Sequence, residues 1–310
     1  MSREEEAMIR SLVRLDGAAY LRRVLRTRMA AWLTKWRNDE ASMKIACFPG
    51  DDIGDNIIAH GWYEDLLLKG LFGSLLAEHA ERFRSGAAAD VGANIGNHSM
   101  WFSQRFARVL AFEPNPVCVK LFEANVLMNG IRNVHLFPVG LSDRSAELMF
   151  HMNSHGNVGR SGLAMSLQPD ADMHFMVRVN PGDAVLTEEA LGGLPLRLLK
   201  LDIEGHELRA IKGLERTISA HRPIVLFESH TSAGNEGSDA IVEFLSGHGY
   251  QHYYVIERVR SPFKSSLLRA AYRLVRGEEL RVRKVPRPDD RSYSLVVAAT
   301  EPLDRPQPAS

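Results

Sequence analysis

The chain has 310 residues, of which 45% are hydrophobic and 25% are charged, enough for a full core in one α/β domain with additions. Its 38 basic and 38 acidic residues give a formal net charge of zero, which argues against the basic field of most nucleic-acid-binding proteins. The two cysteines, Cys47 and Cys118, lack metal-binding or redox spacing, so a reducing compartment is expected. Because no apolar run approaches the ~18 residues of a membrane-spanning helix, we expect a soluble, cytoplasmic protein.

Residues 1–80 are expected to form a helical extension ahead of the main domain. Residues 4–36 place apolar side chains at helical spacing, and the opposite face of that helix is basic. The basic face is interpreted first as a solvated surface, and second as a contact for an anionic membrane or substrate. Another apolar helix is predicted at residues 65–76.

Between residues 81 and 300 the sequence alternates apolar strands with helices, as a doubly wound, Rossmann-like α/β fold requires. We therefore predict a seven-stranded, mostly parallel sheet with helices on both faces. The strands are expected at residues 87–91, 109–112, 134–139, 196–201, 223–227, 251–258 and 292–298, and the first two helices at 98–105 and 116–128.

Three segments stand outside that alternation. Residues 145–179 carry glycines between two strand-like runs, 147–151 and 175–179, and so long a loop is unusual unless it is functional or disordered. Residues 261–290 form a basic insertion, interpreted as a solvated flap, a lid or a docking patch for an anionic acceptor. The proline-rich tail, 301–310, is expected to be disordered.

The first predicted strand ends in the glycine-rich segment Asp90-Val91-Gly92-Ala93-Asn94-Ile95-Gly96. Glycine carries no Cβ and tolerates positive φ, so such a turn lets the backbone approach a ligand. Glu113, at the end of the next strand, is placed to accept hydrogen bonds from both hydroxyls of a ribose. A dinucleotide-binding turn has the spacing G-x-G-x-x-G, but here Asn94 replaces the middle glycine. With Asp90 ahead of the turn, the pattern favours S-adenosylmethionine, whose amino-acid end is cationic, over NAD.

Five segments together resemble the FkbM-type S-adenosylmethionine-dependent methyltransferases, over residues 51–230. The resemblance implies a class I methyltransferase fold, methyl transfer to oxygen, and small-molecule or saccharide acceptors. His206 stands where that family more often has a small residue. The segments are Gly61-Trp62-Tyr63-Glu64, Asp90-Val91-Gly92-Ala93-Asn94-Ile95-Gly96, Phe112-Glu113-Pro114-Asn115, Leu141-Ser142-Asp143 and Lys200-Leu201-Asp202-Ile203-Glu204-Gly205-His206-Glu207.

The chemistry and the resemblance together assign roles in cofactor binding. Asp90 and the turn would hold the methionine end, and Glu64 would reach its ammonium group. Glu113 would bind the ribose, and Asp143, beside Ser142, would accept from the adenine amino group. Without the resemblance, Asp143 is equally well explained as a turn-forming residue. The expected cofactor ligands are Glu64, Asp90, Gly92, Asn94, Gly96, Glu113, Ser142 and Asp143.

Methyl transfer from a sulfonium requires acceptor and donor to be held in line and a proton to be removed. The candidate bases are Asp202, Glu204, His206 and His230, because these residues follow strands whose carboxyl ends should meet at one edge of the sheet. Asp202, at the end of the central strand, is the best placed of them. Glu207 is instead expected to stabilise the start of the next helix.

Alternatives to this interpretation remain open. Asp202, Glu228 and His230 could collect a divalent cation, although a metal is not favoured. A catalytically silent nucleoside-binding or scaffold protein is possible, and an NAD-dependent oxidoreductase is disfavoured by the glycine spacing. A nucleic acid substrate is not favoured either, because no D/N-P-P-Y/F-like segment follows the fourth strand. His98 and His135 are expected to be ordinary structural or surface residues.

Overall fold

The computed structural model describes residues 43–48, 51–152, 162–164, 173–229, 238–259, 279–288 and 293–303, together with positions 25, 28 and 265. His230 lies outside the described residues, as does most of the predicted N-terminal basic helix, of the basic insertion and of the tail. No helix in the described ranges is long and apolar enough to cross a membrane.

The expected doubly wound α/β architecture is confirmed by one large sheet. Its eight strands are β1 Ala87–Val91, β2 Arg108–Phe112, β3 Val134–Phe137, β8 Leu196–Leu201, β9 Ile224–Ser229, β10 His252–Arg258, β11 Leu280–Val285 and β12 Tyr293–Ala299. They lie in the order β11-β10-β12-β9-β8-β1-β2-β3. The five strands from β9 to β3 run parallel, whereas β12, β10 and β11 pair antiparallel.

A smaller sheet accounts for the region that the sequence left irregular. It consists of β4 Gly140–Ser142, β5 Ala146–Met152, β6 Gly162–Ala164 and β7 Met173–Pro181, in the order β4-β7-β5-β6. The two strand-like runs predicted at 147–151 and 175–179 are confirmed as β5 and β7, which pair antiparallel.

Helices connect the strands and cover the sheet. They are α1 Asp52–His60, α2 Asp65–Gly70, α3 Ala80–Arg84, α4 Asn97–Ser103, α5 Pro116–Met128, α6 Gly182–Val185, α7 Glu188–Leu191, α8 Glu207–Lys212, α9 Glu215–His221 and α10 Ser238–Gly247. The predicted bounds of α5 are confirmed because its start is strongly marked. The side chain of Asn115 caps it by accepting from the N–H of Val117, and Pro116 occupies its first turn.

Both faces of the large sheet are buried, which explains why its central strands read as continuous apolar runs. Ala87, Ala89 and Val91 of β1 belong to one core cluster, whereas Ala88 belongs to a second cluster on the opposite face. The second cluster also contains apolar side chains of residues 67–83, so α2 and α3 pack against the sheet.

Three details correct the sequence prediction. Within the described part of the chain the sheet has eight strands rather than seven, because β11 forms inside the segment assigned to the basic insertion. The predicted strand at 134–139 ends at Phe137, and from Gly140 the chain joins the smaller sheet. The predicted helix at 65–76 is α-helical only to Gly70 and continues as a π-helix over Leu71–Leu75.

Candidate functional site

A buried lysine links the first strand to the central strand beneath the glycine turn. The Nζ atom of Lys200 lies 3.2 Å from Oδ1 of Asp90 and 3.2 Å from Oδ2 of Asp202. The other oxygen of Asp90, Oδ2, accepts a hydrogen bond of 2.6 Å from Ser99 in α4. Burial opposes the charge of Lys200, but the two carboxylates outweigh that effect and raise the pKa of Lys200 well above its usual range. Asp90 is fully buried and holds two strands and a helix together.

The glycine turn passes through left-handed backbone conformations at three positions. Gly92 has a φ of +80°, Asn94 of +49° and Gly96 of +92°. A Cβ atom on Gly92 would lie 1.8 Å from the carbonyl oxygen of Asp202, so the turn packs directly on the loop that follows β8. The requirement for glycine at position 92 is therefore both conformational and steric.

Glu113 shapes the turn from the end of the second strand. Its Oε2 accepts from the backbone N–H of Asn94 at 2.8 Å, and its Oε1 accepts from the backbone N–H of Asn115 at 2.8 Å. Burial raises the pKa of Glu113 to about 7, although these two hydrogen bonds act to lower it. Each carboxylate oxygen can accept a further hydrogen bond, so Glu113 keeps acceptor capacity for a ribose. The contact with a ribose itself stays a prediction.

The segment that carries Glu64 is fixed onto the start of α4. The side chain of Asn97 donates to the carbonyl of Tyr63 at 3.1 Å and accepts from the N–H of Tyr63 at 3.0 Å. Glu64 has a φ of +57°, and its Oε2 lies 3.3 Å from Nε2 of His98, although the described residues offer Nε2 no properly aligned hydrogen bond. The sequence placed Glu64 in the site and assigned His98 an ordinary structural or surface role, and no signal in the sequence indicated this contact.

Tyr63 lies among charged groups from several strand ends. Burial raises the pKa of its phenol far above the usual range, and the charges of Glu64, Asp202 and Glu228 raise it further. The guanidinium of Arg258, at the end of β10, acts in the opposite direction. Sequence reasoning gave Tyr63 and Arg258 no role in the site, because the proximity of Tyr63 to Asp202 and to Arg258 arises only in the folded chain. The phenol of Tyr63 stays neutral and can donate a hydrogen bond.

A second polar group lies at the junction of β4 and α8. The Ser142 hydroxyl lies 3.1 Å from Oδ1 of Asp143 and 2.9 Å from Nε2 of His206. Because a carboxylate only accepts, Ser142 gives its one proton to Asp143 and accepts from Nε2–H of His206. Burial lowers the pKa of His206, as does Arg209, whereas Asp143 opposes both. His206 is thus neutral near pH 7, with its proton on Nε2.

Glu204 and Glu207, which follow Asp202 in the sequence, occupy different environments. Glu207 accepts from the backbone N–H groups of Ile203 at 3.0 Å and Gly205 at 3.1 Å, so it stabilises the loop before α8, as expected for a helix-start carboxylate. Glu204 is exposed, with a φ of +51°. His230 lies outside the described residues, where its expected role is not tested. No group of three His, Cys, Asp or Glu side chains suited to a metal occurs in the described ranges.

The chain is similar to known methyltransferases. A family model described as the Methyltransferase FkbM domain matches residues 90–252. Methyltransferase sdnD of Sordaria araneosa is 29% identical over 153 residues, which is 41% of this chain and 59% of that protein. Hexuronic acid methyltransferase AglP of Haloferax volcanii is 30% identical over 174 residues, which is 56% of this chain and 65% of that protein. The chain therefore spans less than two thirds of the length of these relatives.

The solved structures that resemble the chain include a Methyltransferase FkbM from Methylobacillus flagellatus KT. It has a TM-score of 0.39 and 16% identity, and the match covers 91% of this chain and 60% of that one.

Replacing Gly92 with alanine should destabilise the chain more than the same change at Gly193. Both glycines have positive φ, +80° and +72°, but a Cβ atom meets the Asp202 carbonyl only at Gly92, and nothing lies within 4 Å at Gly193. We expect Gly92→Ala to lower the free energy of unfolding by about 2 kcal/mol more than Gly193→Ala. Urea denaturation measures both variants, and equal losses would show that the turn does not pack on the Asp202 loop.

The raised pKa of Glu113 predicts a stability that falls with rising pH. Between its ordinary value of 4.5 and about 7, the folded chain keeps a proton that the unfolded chain has released. The free energy of unfolding should therefore decrease across this interval, by up to about 3 kcal/mol from this group. Urea denaturation from pH 5 to pH 7 should show a shallower decrease for Glu113→Gln than for the wild type. The exposed Glu123→Gln should keep the wild-type slope.

Proposed function

The chain belongs to the FkbM methyltransferase domain family, and from this membership we propose that it transfers the methyl group of S-adenosylmethionine to a hydroxyl of a small molecule or saccharide. The observation that carries the proposal is the glycine turn, which is shaped by Glu113 on one side and packed against the Asp202 loop on the other. A cofactor held along the turn would meet an acceptor beside Asp202.

The residues around the turn suit the proposed cofactor. Its left-handed positions bring backbone rather than side chain to the ligand, as a close approach requires. Glu113 would accept from the ribose hydroxyls, Asp143 from the adenine amino group, and Glu64 from the ammonium of the methionine end. Asp90 would support the same end from beneath the turn, since its two oxygens already bind Ser99 and Lys200.

The electrostatics of the site support a cationic methyl donor. Bound S-adenosylmethionine supplies a methyl group attached to a positively charged sulfur. Glu64, Asp202 and Glu228 all act on the phenol of Tyr63 and only Arg258 opposes them, so carboxyl groups outnumber cations around this part of the site. Carboxylates at this position attract a positively charged ligand more strongly than a neutral one. The neutral phenol can hold an acceptor oxygen by hydrogen bonding.

We assign removal of the acceptor proton to Asp202. It is half-buried at the carboxyl end of the central strand, and the ion pair with Lys200 fixes one of its oxygens. A carboxylate so restrained can accept a proton from a hydroxyl held in line with the methyl group. Glu204, His206 and His230 are the other candidates, and of these His206 is already committed to Ser142 through Nε2.

The relatives suggest the class of acceptor. One of them is named as a hexuronic acid methyltransferase, which supports a saccharide hydroxyl as the acceptor of this chain. The basic helix and the basic insertion expected from the sequence would suit an anionic saccharide or a membrane surface. Both segments lie mainly outside the described residues.

Calorimetry should show binding of S-adenosylmethionine and of its demethylated product, and no binding of NAD. Replacing Glu113 with glutamine exchanges one of the oxygens that would accept from the ribose for an NH₂ donor, so the dissociation constant should rise about 10- to 100-fold. Glu123→Gln, on the surface of α5, is the matched control and should bind as the wild type does. Absence of binding by the wild-type chain, or equal affinity of Glu113→Gln, would overturn the cofactor assignment.

The role of Asp202 is tested by methyl transfer to a panel of hexuronic-acid-containing saccharides. Asp202→Asn should lower kcat, measured with saturating S-adenosylmethionine, by about 100- to 10,000-fold. The exposed Glu204→Gln serves as the comparison and should retain activity. A large loss of activity in Glu204→Gln with activity preserved in Asp202→Asn would transfer the role to Glu204.

A further inference from the structure

Strands β5 and β7, which are called the hairpin below although β6 lies between them in the chain, pair antiparallel. At four successive positions each residue lies opposite one of the same type. The segment Met149-Phe150-His151-Met152 runs antiparallel to Met173-His174-Phe175-Met176. The register joins Met149 to Met176, Phe150 to Phe175, His151 to His174 and Met152 to Met173. The core face of this pair packs on Ile95 of the glycine turn, whereas the proposed methyl transfer does not explain the residues on its opposite face.

The two faces of this hairpin have different surroundings. Because side chains alternate along a strand, Phe150 and Met152 point to one face, and Met149 and His151 point to the other. Phe150 and Met152 belong to a core cluster with Ile95, so packing accounts for their face. The opposite face carries two imidazoles and two thioethers, from His151, His174, Met149 and Met176.

The two imidazoles share a hydrogen bond between their Nδ1 atoms, which an ion bound by both nitrogens would replace. Nδ1 of His151 lies 2.9 Å from Nδ1 of His174, and the rings stand at 81° with their centres 4.9 Å apart. His151 is only 2% exposed, and no partner among the described residues reaches its Nε2.

We propose that this face of the hairpin binds copper(I) through the two Nδ1 atoms and the thioethers of Met149 and Met176. Metal–nitrogen bonds of about 2.0–2.1 Å at a tetrahedral angle separate two nitrogens by about 3.3 Å. The observed 2.9 Å would need to open by only a few tenths of an ångström. The flanking pair, His151 with Met149, lies two residues apart on one strand, within reach of a common ion.

The donor set selects a soft ion. Thioethers favour copper(I), and imidazole is compatible with it, whereas magnesium and calcium require oxygen ligands. Glu147 is the next residue on this face, and its carboxylate pairs with Arg178 at 3.7 Å. The described residues offer the hairpin no third His, Cys, Asp or Glu ligand, so a stable site depends on sulfur.

Anaerobic titration of the full chain with copper(I), in competition with a chromophoric copper(I) chelator, tests the site. The wild type should bind one equivalent. His174→Ala removes an exposed ligand, and the double variant Met149→Leu with Met176→Leu removes both sulfurs at nearly constant volume. Each should weaken copper(I) binding by about tenfold or more, since even outer-shell changes at metal sites cost that much. Met173→Leu, on the opposite face, is the matched control and should bind as the wild type does.

Circular dichroism of the variants separates loss of a ligand from loss of the fold. Unchanged copper(I) affinity in the folded double variant would overturn the proposal, as would X-ray absorption of the bound copper that shows no sulfur neighbour. Sulfur scattering that disappears in the double variant but persists in Met173→Leu would support it.

Discussion

The ion-pair group of Asp90, Lys200 and Asp202 is the constraint on which the site depends. A lysine ammonium buried between two strands is tolerated only because carboxylates lie on both sides of it. Removing one partner from such a group leaves an uncompensated charge in the interior, which typically costs about 3–5 kcal/mol. The same group fixes the end of β1, where the glycine turn begins, relative to the end of β8, where Asp202 faces the site.

The loops around that group behave as a single unit. Glu113 holds the turn at Asn94, Asn97 holds the segment of Tyr63, and Glu207 holds the loop of Ile203. In each case a side chain binds backbone N–H groups of a neighbouring loop, so the loops are positioned before any ligand arrives. Such preorganisation reduces the ordering entropy that binding would otherwise cost.

The sequence predicted the elements whose signals are local. The strands at 87–91 and 196–201 are continuous apolar runs, and the helix at 116–128 begins with Asn115 and proline, so their bounds were readable. The edge strand β11 was hidden because its basic residues suggested an insertion. The proximity of Tyr63 to Asp202, the contact of His98 with Glu64, and the buried environment of Lys200 depend on segments far apart in sequence. Composition and motif spacing therefore do not predict those contacts.

The same edge strand has a consequence for how copies of the chain meet. An unpaired strand at the margin of a sheet is a template on which another chain can add. Here that margin presents the exposed charged side chains of Arg281, Arg283 and Lys284. A second copy arriving edge to edge would have to desolvate these cations and bring like charges together. The basic composition that hid β11 in the sequence thereby opposes edge-to-edge pairing of two copies at this margin.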